Sequence, residues 1–205
     1  MFTDFDDFSK VVPSLSPEKL IESLSFYFDK FDEFAAAHNV IKIKTIGDSY
    51  MAVGGMPERN SSHPVDVILT ALKMKQFIKE KNEVENSEIP NFPLRIGIHT
   101  GPVVVGVIGK KRAADAVGGD AVHLASRMEQ NAEETFVNIS ETTYQKVKDY
   151  FECEARGEIE AKNMGNVPMY NLKRIKPEYS EDDLGFIPNR TFIRKYSQLI
   201  RLADN

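Results

Sequence analysis

The stretch that most constrains this chain is residues 41–55, IKIKTIGDSYMAVGG. Ile41, Ile43 and Thr45 alternate with Lys42, Lys44 and Ile46, and Met51 and Val53 resume the alternation after Gly47-Asp48. Such alternation around a glycine-acid dipeptide predicts two short strands joined by a tight turn. Asp48 is then held at a rigid hairpin tip, and strict alternation points Lys44 the opposite way from Ile43. A second run, MFTDFDDF, opens the chain with carboxylates where a short strand should end. Everything turns on whether Asp4 and Asp48 converge.

The remaining pattern alternates between periods of 3.6 and 2. After the exit loop Phe5 to Ser9, Ser16-Pro17-Glu18 reads as a helix start, with a capping hydroxyl, a proline at the first position and an acid in the first turn. Ile21, Leu24, Phe28, Phe31 and Ala35 then recur at helical spacing as far as His38-Asn39. Val67, Ile68, Ala71, Leu72, Met74 and Ile78 mark a second amphipathic helix, and Lys79 to Glu88 reads as charged surface. Leu94, Ile96 and Ile98 predict a strand, and the β-prone run Val103 to Ile108 a neighbouring, well-buried one. A helix is expected from Asp120 to about Gln130, a strand over Phe136–Ile139, a helix capped by Ser140, and closing strands over Phe151–Glu160 and Val167–Leu172. Strands with interposed helices and frequent hairpins indicate an α+β fold, a mixed sheet with helices packed on it. Residues 1–172 form the expected domain. Residues 173–205 read as an extension, with a last helix over Thr191–Ala203, that packs on the domain or on a partner.

A chain of 205 residues with net charge −5 is long enough for a real core and has no broad basic surface for nucleic acid. Cys153 is the single cysteine, so no intrachain disulfide forms. No apolar run reaches membrane-spanning length, and the acidic start is not a signal peptide. The expected location is cytoplasmic, without direct membrane contact, as a free domain or as the soluble portion of a larger protein.

Two carboxylates at strand ends repel unless a cation neutralises them, and hard oxygen ligands suit Mg²⁺ or Mn²⁺. Asp4 and Asp48 are therefore either ordinary turn acids or the ligands of a shared metal site, which requires their carboxylates within about 5 Å. Lys44 is a donor to a ligand or a partner for a neighbouring acid. Arg95 lies inside a strand and needs an anionic partner, for which a phosphate qualifies. Arg127 is a surface arginine or a functional one, and His99 reads as a satisfied, partly buried histidine.

The motifs FTDFDDFS, KIKTIGDSYMAVGG, LRIGIHTGPVVVGVIG, GDAVHLASRME and VNISETTYQKVKDYFECEARGEIEAKNMG together resemble the class III nucleotidyl cyclase catalytic domain, the family of adenylyl and guanylyl cyclases, over about residues 2–172. The resemblance implies a ferredoxin-like core extended to a mixed sheet, working as a head-to-tail homodimer with sites at the interface. It implies that Asp4 and Asp48 hold two divalent ions, Mg²⁺ or Mn²⁺, and that the loop Phe5, Asp7, Phe8 and Ser9 receives phosphates through backbone N–H groups. Lys44 matches the purine-selecting position, where lysine favours ATP and glutamate GTP. Arg95 would contact distal phosphates, and Arg127 would stabilise charge on the α-phosphate. An upstream sensor or regulatory domain often accompanies such domains.

Several positions depart from the family pattern. Ala116 stands at the second purine selector, with Asp115 beside it, and Gly118 replaces an aromatic. His123 replaces the ribose-orienting asparagine, Met164 the triphosphate lysine, and Asp7 the glycine of the first loop. Loss of one charged donor to phosphate costs roughly 10²–10³ in rate. The expected activity is thus that of an adenylyl cyclase weakened by these departures, with a catalytically silent nucleotide-binding or dimerisation domain as the alternative.

Overall fold

The computed structural model describes residues 1–84, 87–105, 117–133, 136–161 and 165–201. In chain order the elements are β1 (Phe2–Phe5), α1 (Phe8–Val11), α2 (Pro17–Ala37), β2 (Val40–Ile46), β3 (Ser49–Gly54), α3 (His63–Asn82), β4 (Leu94–Ile98), β5 (Val104–Val105), β6 (Val117–Gly118), α4 (Asp120–Gln130), β7 (Val137–Ser140), α5 (Glu141–Val147), β8 (Phe151–Ala161), β9 (Gly165–Ile175) and α6 (Arg190–Arg201). Seven strands form one sheet in the order β2-β3-β1-β4-β7-β9-β8. Only the β4–β7 pairing is parallel, so the sheet is mixed, as the α+β expectation requires.

Two faces follow from the register. Directly paired residues share a face, and the side alternates along each strand. Phe5, Leu94, Ile96, Tyr50 and Ala52 point to one face, which α2 and α3 cover with Tyr27, Phe31, Ile68, Leu72 and Met74. Phe5 sits there among the rings of Tyr27, Phe28, Phe31 and Phe92, with centroids 5.0 to 6.1 Å away. Met51, Phe2 and Gly97 form a row on the other face, because Phe2 pairs with both of the others. There α4 lies directly on Gly97, where an added Cβ would stand 1.9 Å from the Glu129 backbone nitrogen and 2.5 Å from the Ala125 carbonyl oxygen.

The ends of α2 follow the sequence signals. Ser16 Oγ accepts from the Lys19 N–H at 3.2 Å, and the helix stops at His38, followed by Asn39 with φ of 55°. Two expectations need correction. The well-buried strand over Val103–Ile108 is, within the described residues, only Val104–Val105, and Val104 is 68% exposed. Both edges of β4 are already taken by β1 and β7, so the run leaves the main sheet and pairs with β6 instead; residues 106–108 lie outside the described residues. Lys79–Glu88 is not uniformly surface, because α3 runs to Asn82 and Lys81 is buried. Its ammonium donates to the Ile89 carbonyl and to Asn91 Oδ1, which replaces the lost hydration.

After β9 the chain folds back on the domain. Asp182 caps the N–H groups of Phe186 and Ile187, Asn189 Oδ1 caps the start of α6, and Phe192 packs against Tyr150 and Phe151. Tyr196 donates to buried Asp66 on α3 at 2.5 Å. Among the described residues no helix is long and apolar enough to cross a membrane.

Gly97→Ala places its methyl against helix backbone, which cannot rotate away as a side chain can. It is expected to cost about 3 kcal/mol, as overpacked sites do, measured by urea unfolding. An unchanged midpoint would show that α4 does not bear on β4 this closely.

Candidate active site

The β2–β3 hairpin closes through Gly47-Asp48, with Ile46 paired to Ser49 and a positive φ of 61° at Gly47 alone. A two-residue turn with glycine at its first central position matches the twist of the strands. It sets Asp48 one residue beyond Ser49, and Ser49 Oγ donates to Asp4 Oδ1 at 2.6 Å. The two acids thus lie at the same end of the sheet, near enough for the charge of one to act on the other. Burial raises the carboxyl pKa of Asp48 above its ordinary value, and the nearby charge of Asp4 raises it further.

Arg95 is the direct cross-strand partner of Asp4. Its guanidinium is divided among three carboxylates: Nη2 donates to Asp4 Oδ2 at 2.9 Å, Nη1 lies 3.1 Å from Asp6 Oδ1, and Nε donates to Glu129 Oε1 at 3.1 Å. Burial alone would lower the arginine pKa, but Glu129, Asp6 and Asp4 outweigh it and the net direction is up. Burial and the charge of Asp4 push the Glu129 carboxyl up to about 7 against the opposing pull of Arg95. The sequence reading of Arg95 as a phosphate contact thus meets a guanidinium whose donors go to the chain's own acids. Asp6, Ser49 and Glu129 were missed. For Ser49 the signal was its place beside Asp48, and for Glu129 its place two residues after Arg127 in SRME.

Three carboxylates, of Asp4, Asp6 and Glu129, contact one guanidinium, and the Asp48 carboxylate feels its charge without touching it in any ion pair. The uncompensated charge and the hard oxygen donors fit a divalent cation of the Mg²⁺ or Mn²⁺ type. Asp4 and Asp48 are the two of these acids that the sequence motifs pointed to as its holders. Among the described residues no cluster of three or more His, Cys, Asp or Glu has metal-holding geometry, so further oxygens must come from backbone, water or substrate.

Lys44 requires a correction. The β2–β3 register shifts between Lys42 and Lys44, so Lys42 pairs with Ala52 and Lys44 with Met51. This bulge absorbs Ile43 and puts Lys44 on the same face as Ile43, the face of Met51, Asp4 and α4, rather than opposite it. Lys42 faces the other way, against Asp32 at 2.8 Å. Lys44 is exposed and makes no ion pair with a described residue. Beside Met51 on this face is a cavity of about 70 Å³ that reaches Val122 and Ala125 of α4.

Arg127 and His123 are both exposed on α4, four residues apart and hence on one stripe, while Ala121, Leu124, Ala125 and Met128 face the sheet. In the first loop, Phe5 is buried, whereas Phe8 and Ser9 begin the short helix α1. Asp7 has φ of 57°, the left-handed conformation that glycine adopts freely and aspartate tolerates. Its carboxylate is paired with Lys10 at 2.6 Å, so its charge is largely offset. His99 is satisfied, with Nδ1 2.8 Å from Ser140 Oγ. Ala116, Asp115 and Met164 lie outside the described residues.

A sequence profile of the adenylate and guanylate cyclase catalytic domain matches residues 1–174. The chain belongs to that family. This cyclase domain is 38% identical over 174 residues to guanylate cyclase soluble subunit beta-2 of Rattus norvegicus, covering 84% of this chain and 25% of that protein. It is 35% identical over 165 residues to an adenylate cyclase of Mycobacterium bovis, covering 80% of this chain and 37% of that one. Among solved structures it is similar to the guanylate cyclase domain of RhGC from Catenaria anguillulae in complex with GTP, with a TM-score of 0.78 and 30% identity over 85% of this chain and 94% of that chain. The fold is that of class III cyclase catalytic domains. The cyclase domain spans about a quarter of the length of the rat relative.

The raised carboxyls give a pH prediction. A carboxyl whose folded pKa exceeds its unfolded value contributes stability below the unfolded pKa and loses it as pH rises through the folded one. Without divalent metal, the wild-type domain should therefore lose stability relative to Glu129→Gln between pH 4.5 and about 7. Urea unfolding across that range in EDTA measures it, and parallel profiles for the two proteins would contradict the assignment.

Proposed function

We propose that the cyclase domain converts ATP to 3′,5′-cyclic AMP and pyrophosphate at sites formed between two head-to-tail copies. Lys44 carries the choice of nucleotide. It is exposed and turned by the bulge onto the face of Asp4 and α4, and its ammonium has only donors to offer. A donor suits N1 of adenine, which accepts, and not N1–H of guanine.

Each residue then has a role. Asp4 and Asp48 would hold two divalent ions, which supply Lewis-acid stabilisation of phosphoryl charge and lower the pKa of the ribose 3′ hydroxyl. The ribose 3′ oxygen attacks the α-phosphorus and pyrophosphate leaves. The N–H groups of Phe8 and Ser9 at the start of α1 would face terminal phosphates, while those of Lys10 and Val11 are taken by the Asp7 carbonyl. Arg127 stands on the exposed stripe of α4, away from its own core, where it reaches a site on a second copy. There it stabilises the charge that builds on the α-phosphate. His123, on the same stripe, takes the ribose-side position. The outward placement of Arg127 and His123 supports the two-copy reading. In a longer protein the domain would serve as the output of an attached sensor.

The relatives favour a second reading. The rat protein is a guanylate cyclase subunit, and a GTP-using domain would share this carboxylate pair and Arg127. Purified protein with Mn²⁺, offered ATP and GTP separately, distinguishes the two. Cyclic AMP is expected from the wild type and none from Asp48→Asn. Lys44→Glu should lower ATP turnover by about 10- to 100-fold and narrow the preference over GTP. Cyclic GMP alone from the wild type would establish the second reading, and no product from an intact dimer would make this a silent member of the family.

A further inference from the structure

Asp4, Arg95 and Glu129 come from β1, β4 and α4, the first two 91 positions apart and the last two 34. Taking Asp4 and Asp48 as the metal-holding pair, we propose that Glu129 is a positioning residue for Asp4, acting through Arg95. The inference rests on that reading of the two acids and goes beyond it by giving Glu129, Arg95 and Ser49 a joint task.

The geometry carries it in three steps. First, both Asp4 oxygens are already engaged once each, Oδ1 by Ser49 Oγ at 2.6 Å and Oδ2 by Arg95 Nη2 at 2.9 Å. An ionised carboxylate has about four lone-pair sites, so each oxygen keeps one for a cation while its orientation is fixed from behind. Second, the guanidinium is a rigid planar fork. Anchoring Nε on Glu129 at 3.1 Å sets the rotation of that plane and therefore the direction of Nη2 toward Asp4. Third, Glu129 is itself held firmly. Its side chain is only 8% exposed, and its backbone rests on the sheet at Gly97. The anchor is thus built by helix-to-sheet contact and not by a flexible surface arm. A buried acid next to other acids works against folding, so simple packing gives no reason for a glutamate here.

The test uses Mn²⁺ and the whole chain. Binding of Mn²⁺ in the presence of ATP is read from loss of the free-ion electron paramagnetic resonance signal, with Asp48→Asn as baseline. Cyclic nucleotide formation is measured in parallel over a Mn²⁺ titration. Glu129→Gln and Glu129→Asp are both expected to weaken Mn²⁺ binding by about 10- to 100-fold, with turnover recovering toward wild type at saturating Mn²⁺. Arg95→Lys, which keeps the charge and loses the fork, should behave likewise and serves if a Glu129 variant does not fold. A Glu129→Asp protein that binds Mn²⁺ like wild type while Glu129→Gln does not would assign the effect to charge alone and overturn the positioning role. Wild-type affinity in both Glu129 variants, or a loss of turnover with no change in Mn²⁺ requirement, would overturn it too. If the wild type binds Mn²⁺ through Asp48 yet makes no cyclic nucleotide, the cyclase reading falls and the binding comparison still decides this one. If it shows no Asp48-dependent binding, both fall.

Discussion

The site depends on one unequal electrostatic arrangement: a single guanidinium, that of Arg95, set among carboxylates from β1, α4 and the hairpin. Buried like charges raise one another's pKa and cost folding stability unless a countercharge completes the set. Arg95 supplies part of that countercharge and also fixes geometry, since it reaches β1 and α4 at once. The rest of the architecture makes this possible. β1 lies between β3 and β4, so Asp4 has Ser49 on one side and Arg95 on the other. Gly97 lets α4 settle close enough to the sheet for Glu129 to close the group.

The two faces of the sheet divide the labour. The face under α2 and α3 is filled with aromatic rings and aliphatic side chains, and this packing fixes the register of β1 against β3 and β4. A slip of one residue would turn Asp4 toward Phe31 and Tyr27 and bring Phe5 to the charged side. The hydrophobic core therefore decides where the acids point. On the opposite face, among the described residues, α4 and the small β5–β6 pair cover the sheet, and the functional candidates gather there.

Much of this was legible in the sequence because it is local. The Gly47-Asp48 turn, the Ser16 cap and the 3.6-residue period of α2, α3 and α4 depend on near neighbours. What escaped depends on pairing across the chain. The bulge at Ile43 is visible only once β2 is laid against β3, and strict alternation therefore put Lys44 on the wrong face. The run at Val103 has every local feature of a buried strand, yet both edges of β4 are occupied. Arg95 announced an anionic partner without naming it, and Glu129 looked like one more helix acid, because its burial comes from a glycine 32 positions earlier.

The departures from the family pattern do not weigh equally once their surroundings are known. Asp7 stood out as a negative charge where phosphates approach, but its backbone conformation suits the position and Lys10 takes up its carboxylate. His123 lies on the exposed stripe with Arg127, and a neutral imidazole offers one donor and one acceptor, as an amide side chain also offers both kinds. Neither change disturbs the carboxylate group or the helix that carries Arg127. Burial and the charge of Asp4 both raise the carboxyls of Asp48 and Glu129, so a neutral residue at either position would relieve the fold when no cation is bound. Both acids are present, together with the arginine and serine that hydrogen-bond to Asp4. Such a set of buried like charges is costly to a scaffold until a countercharge completes it.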